Sequence, residues 1–158
     1  MITNTSLSTA KNPSFGMSVK FNNSGKKFFN KVFENKPDLG QEYIKRQVNN
    51  KASDIFVKGS DVFVSINAKK WHVIGSIWTH KKTGNSIEEL NCRRNGNIFH
   101  KSALKTIIME GGEPLAKRYG EKGRCLAVAE EIANYQSYVS GNKKPTLIDN
   151  LLGLFKND

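Results

Sequence analysis

Cysteine and histidine are scarce in this chain, and each scarcity removes a class of chemistry. Cys92 and Cys125 are the only thiols, too few for a disulfide framework and not arranged as a Cys-x-x-Cys pair. A chain of 158 residues needs no such framework, because a domain of this size buries roughly 70% of the surface its unfolded form exposes. Sparse, unpaired thiols fit a reducing, cytoplasmic setting. His72, His80 and His100 match no zinc-ligand spacing with the cysteines, and an extended strand would hold His72 and His80 roughly 26 Å apart. No metal and no cofactor is expected.

Other signatures are missing too. There is no Gly-x-Ser-x-Gly elbow, no phosphate-binding loop and no dinucleotide fingerprint. Gly111-Gly112 and the Gly120 to Gly123 turn lack the Gly-Lys-Ser/Thr of a phosphate cradle and read as helix stops. No apolar run approaches the roughly 18 residues of a membrane span. Met1 to Asn12 lacks the basic and apolar regions of a secretory signal and is expected to be a disordered tail, with 13–158 as one domain.

Acidic residues are also in short supply, 14 against 25 Lys and Arg, for a net charge of +11. Almost all of the excess lies before residue 102, where 17 basic residues meet 7 acidic ones. Such a surplus favours anionic partners.

Against these absences stands a clear alternation of patterns. Ser14 to Phe21 alternates apolar and polar residues as a half-buried strand does. Phe28, Phe29, Val32 and Phe33 then take helical spacing, and a second helix follows Pro37, with Asp38 as its cap and Leu39, Tyr43, Ile44 and Val48 as its stripe. Ile55 to Lys58 and Asp61 to Ile66 flank Gly59-Ser60, a hairpin with a type II′ turn. Its register predicts Lys58 opposite Asp61, Val57 opposite Val62, Phe56 opposite Phe63 and Ile55 opposite Val64. Both faces of that hairpin are apolar enough to predict cover on both sides.

Trp71 to Thr79 is the next strand, read with Trp71, Val73 and Ile77 on one face and His72, Ile74 and Trp78 on the other. Ser86 to Asn91 follows as an exposed edge strand carrying Glu88 and Glu89. Ala103, Leu104, Ile107 and Ile108 predict a helix, and residues 122–140 a longer one that buries Cys125, Leu126, Val128, Ala129, Ile132, Ala133 and Val139. Glu130 and Glu131 fall on its expected solvent side. The fold class is therefore α+β: an antiparallel sheet of about five strands, the meander 54–92 plus strand 14–21, packed with N- and C-terminal helices.

Two surfaces stand out as candidates for binding. In a meander alternate turns share an end of the sheet, so Lys69, Lys70, Arg93 and Arg94 should gather with Trp71 beside them, a basic rim with an aromatic neighbour suited to nucleic acid or another polyanion. The last helix carries Leu147, Leu151, Leu152 and Phe155 in a stripe too apolar to stand exposed, which suits a protein partner or self-association through 146–156. The first expectation is thus a non-enzymatic binding module for an anionic partner such as nucleic acid. An assembly subunit using the C-terminal helix is the alternative. An enzyme built around Tyr119, His100, Glu113 or Lys117 comes third.

Overall fold

A computed structural model describes residues 18–99 and 101–144. The fold is α+β, and the described residues form a mixed, mostly antiparallel sheet and four α-helices. The strands are β1 (Val19–Phe21), β2 (Ile55–Lys58), β3 (Asp61–Ile66), β4 (Lys69–His80), β5 (Ser86–Arg94) and β6 (Ala103–Glu110). They lie side by side in chain order, β1 parallel to β2 and every other pair antiparallel. The helices are α1 (Asn23–Val32), α2 (Pro37–Val48), the single turn α3 (Ala116–Tyr119) and α4 (Arg124–Ser140).

Local chemistry explains the N-terminal half. Asn22 caps α1 by accepting from the Gly25 amide at 2.6 Å, and the same oxygen accepts from the Gly59 amide in the β2–β3 turn at 3.1 Å. One side chain thereby ties the helix start to the hairpin. A Cβ on Gly25 would stand 1.9 Å from the Val57 carbonyl oxygen, so only glycine allows α1 to sit this close to β2. Pro37 opens α2 in its first turn, with Lys36 at the cap position, two residues before the expected Asp38 cap, and Asp38 inside the helix.

The hairpin forms in the register its sequence predicts, and Gly59 takes the positive φ of +59° that the turn needs. Asn67 and Ala68 join β3 to β4 with φ of 51° and 66°. One sheet face carries Ile55, Val57, Val62, Val64, Trp71, Val73, Leu90 and Cys92, all buried against α4, α1 and α2. Among the described residues no element covers the other face. Phe56 and Phe63 are only half-buried there, so the expected second cover on the hairpin is not found.

Three further expectations are corrected. Residues 103–110 form strand β6 instead of a helix, which moves β5 from the sheet edge to an interior position. A bulge in β4 between Val73, opposite Cys92, and Gly75, opposite Asn91, inserts Ile74 as an extra residue, so side-chain parity flips partway along the strand. Beyond it Trp78 shares the helix-covered side with Ser76, and Ile77 turns to the open face at 58% exposure. Along α4, Val139 is exposed while Glu130 is buried, the reverse of the sequence expectation.

Candidate nucleic-acid interface

The open face is organised by register. Lys20 on β1 stands opposite Phe56, Phe56 opposite Phe63, Phe63 opposite His72, and His72 opposite Arg93. Directly opposed residues on adjacent strands are about 4.8 Å apart across the sheet, so these five form one straight row at right angles to the strands. The row begins and ends on a cation, with three rings between.

Its geometry is that of a stacked platform. The Phe63 and His72 rings lie 4.7 Å apart with 25° between their planes. Lys70 holds its ammonium 4.2 Å from the Phe56 ring centre and 5.7 Å from that of Phe63, Lys58 stands 5.7 Å over Phe63, and Lys20 lies 5.5 Å from Phe56. Lys20 is paired with Asp54 at 3.2 Å, and His72 lies 3.4 Å from Asp61.

Lys58 and Lys70 are different. Among the described residues no carboxylate lies within ion-pair distance of either, and the two ammonium groups approach each other above the rings. Desolvation, then the neighbouring Lys58 and Lys20 charges, hold the Lys70 ammonium below the ordinary lysine value. Two ammonium groups beside the same rings concentrate positive charge on this face. Arg93 at the row's end is exposed, and the β5–β6 loop beyond it presents Ile98 and Phe99 at 90% and 80% exposure.

The five residues singled out by sequence do share one end of the sheet, but strand parity divides them. Lys70 and Arg93 belong to the open face. Trp71 and Arg94 belong to the covered side, where the Arg94 guanidinium and the Lys105 ammonium lie 5.1 and 5.4 Å from the Trp71 ring. Lys69, opposite Ile66, has the parity of that side as well. Trp71 is fully buried, so its ring offers no surface to a base. Phe56, Phe63 and His72 are the rings available instead. The alternation of Phe56 with Lys58, and of Phe63 with Asp61, was the signal for an exposed aromatic face.

Leu147, Leu151, Leu152 and Phe155 lie outside the described residues, as does His100. Glu113 and Lys117 are exposed, on the loop before α3 and on α3 itself. Tyr119 does meet an acid, one that sequence reading had assigned to solvent. Glu130 accepts from the Tyr119 hydroxyl at 2.6 Å, from Arg118 Nη1 at 3.3 Å and from Arg46 Nε at 2.9 Å, with Arg46 Nη2 at 2.7 Å. Both carboxylate oxygens are engaged. Burial, then the hydrogen bond and charge of Glu130, raise the Tyr119 phenol well above its ordinary value. A phenol held neutral against a saturated carboxylate is neither nucleophile nor base, and the cluster joins α2, α3 and α4.

Glu88 is likewise buried, accepting from Ser76 Oγ at 2.6 Å and the Leu115 amide at 2.9 Å. The Cys92 thiol is pushed up to about 12 by burial, and Cys125 is raised for the same reason. The bulge sets His72 and His80 on opposite faces, and among the described residues no three ligating side chains gather as a metal site. An open depression of about 310 Å³ lined by Gly84, Asn85, Ser86, Glu110, Gly111 and Gly112 brings a single titratable side chain.

No known protein family, curated protein or solved structure matches this chain. Among the described residues no helix is long and apolar enough to cross a membrane.

Proposed function

We propose that the protein is a non-enzymatic module that binds single-stranded nucleic acid on its open sheet face. The observation that carries this reading is the row Lys20, Phe56, Phe63, His72 and Arg93, with Lys58 and Lys70 crowded above its rings. Rings lying along a sheet offer flat apolar surface to unstacked bases, and ammonium groups beside them meet the phosphates. A duplex keeps its bases paired and stacked, so it gains only the charge contribution. The saturated Glu130 cluster, and thiols held toward their neutral form by burial, favour binding over catalysis.

The reading is tested by fluorescence anisotropy with a labelled unstructured oligonucleotide over a range of salt. Binding weakens as salt rises, with a slope of roughly −0.7 per phosphate neutralised on a single strand. Replacing Lys58 and Lys70 together by alanine makes that slope shallower by about 1.4. Replacing Lys117 and Lys122, which lie away from the row, leaves it within about 0.7 of the parent. No binding at low salt, or equal losses from both pairs, overturns the proposal.

A further inference from the structure

β6 is the outermost strand of the sheet beyond β5, and among the described residues nothing pairs with its outer side. Eight residues make it a long edge, and edges of this kind are templates for another strand unless they carry charge, proline or a bulge. β6 has no proline and no register shift, and its only charges are Lys105 and the terminal Glu110.

The phase of its hydrogen bonds follows from one contact. The Gly111 amide donates to the Ser86 carbonyl at 3.2 Å, and Ile87 stands opposite Glu110. Bonded and non-bonded pairs alternate along an antiparallel ladder. Ala103, Lys105, Ile107 and Met109 therefore bond inward to β5, and Leu104, Thr106, Ile108 and Glu110 aim their backbone groups outward. The open-face side chains of this outward set include Leu104 at 76% and Ile108 at 57% exposure.

We infer that β6 pairs antiparallel with β6 of a second copy, about a two-fold axis through Thr106, making one continuous sheet from two chains. In that register Leu104 of each copy stands opposite Ile108 of the other, and Thr106 stands opposite itself. The opposed pairs Leu104–Ile108 and Thr106–Thr106 exchange the backbone groups that point outward, and the pairs between them are non-bonded. In this register exposed apolar side chains face each other and like charges do not: Lys105 meets Ile107 and Glu110 meets Ser102. A two-fold perpendicular to the sheet keeps both open faces on the same side. The two aromatic rows then lie seven strand spacings apart between their β3 strands, about 34 Å along the sheet.

The dimer opposes two chains of +11 each, so added salt strengthens it. Nucleic-acid binding has the opposite salt dependence, and the two proposals stand or fall separately. Sedimentation equilibrium of the full chain at about 100 µM in 0.3 M salt, a concentration where even a micromolar association is nearly complete, gives twice the 17.7 kDa chain mass. Thr106→Lys sets two lysines face to face and raises the dissociation constant about tenfold or more.

Thr106→Cys supplies a second readout that does not depend on weakening the edge. Opposed bonded positions are about 5.5 Å apart between Cα atoms, within the reach of a disulfide. Mild oxidation joins these two chains through residue 106, while Glu110→Cys, opposite Ser102, stays uncrosslinked. A monomer at that concentration, a dimer untouched by Thr106→Lys, or equal crosslinking at residues 106 and 110 overturns the inference. Loss of the dimer on removing 146–158, with Thr106→Lys silent, assigns association to that segment and overturns it too.

Discussion

Changing both Phe56 and Phe63 to alanine lowers affinity for an unstructured oligonucleotide by about 2–4 kcal/mol, roughly 30-fold to 1000-fold. The size follows from the rings. Each stacked base contributes about 1–3 kcal/mol in single-strand recognition, and these two side chains are cross-strand neighbours carrying the lysine pair. Loss of the rings also releases Lys58 and Lys70 from their positions. Because Phe56 and Phe63 are half-buried, the double alanine variant costs some stability. Phe63→Leu separates the two effects: it keeps apolar bulk against the sheet and still removes the flat π-surface. Anisotropy on folded protein, checked by circular dichroism, should show Phe63→Leu weakened about fivefold or more. Parent-like affinity in the double variant removes the rings from the interface.

Glu130→Ala is the most destabilising single change expected in the helical layer. Removing one partner of a buried ion pair costs about 3–5 kcal/mol when the remaining charge stays buried. Here the Arg46 and Arg118 side chains are 48% and 35% exposed and rehydrate in part, whereas Glu130 itself is 3% exposed. The expected loss is therefore about 2–4 kcal/mol. The Tyr119 hydroxyl adds to it, since its acceptor disappears within an aromatic cluster with Phe33 and Tyr43. A urea titration should show a lower midpoint with an unchanged slope. Glu131→Ala, one residue along and paired with Arg118 at 2.7 Å, loses less than about 1 kcal/mol. Equal effects at the two positions would mean that the buried cluster contributes nothing special.

How much of this was legible in the sequence depended on the range of the interaction. The β2–β3 hairpin could be read residue by residue because a two-residue turn fixes the register of everything beside it. Helices α2 and α4 were legible as stripes. Residues 103–110 were not, because Ala103, Leu104, Ile107 and Ile108 satisfy a helical period while Ala103, Lys105, Ile107 and Met109 satisfy a strand face, and a short apolar run does not decide between them. The pairing of β6 with β5 decides it in three dimensions.

The site was legible in part for the same reason. Counting turns brought the lysines and arginines to one end of the sheet, as found. Parity then separates Lys70 and Arg93 from Trp71 and Arg94, and the β4 bulge changes that parity beyond Val73 without a mark in the sequence stronger than Gly75. The role of Glu130 was beyond reach. Its partner Arg46 is 84 residues away, and nothing in an isolated helical pattern distinguishes a carboxylate facing water from one facing two guanidinium groups.

The central claim is that the open face, and not the helical side, meets nucleic acid. Amide chemical-shift mapping during titration with a short unstructured oligonucleotide at low salt tests it most directly. The account predicts shifts gathered on Phe56, Phe63, Lys70, His72 and Arg93, with α2 and α4 unmoved. Shifts centred on the helices, or none as the oligonucleotide reaches excess, would contradict it.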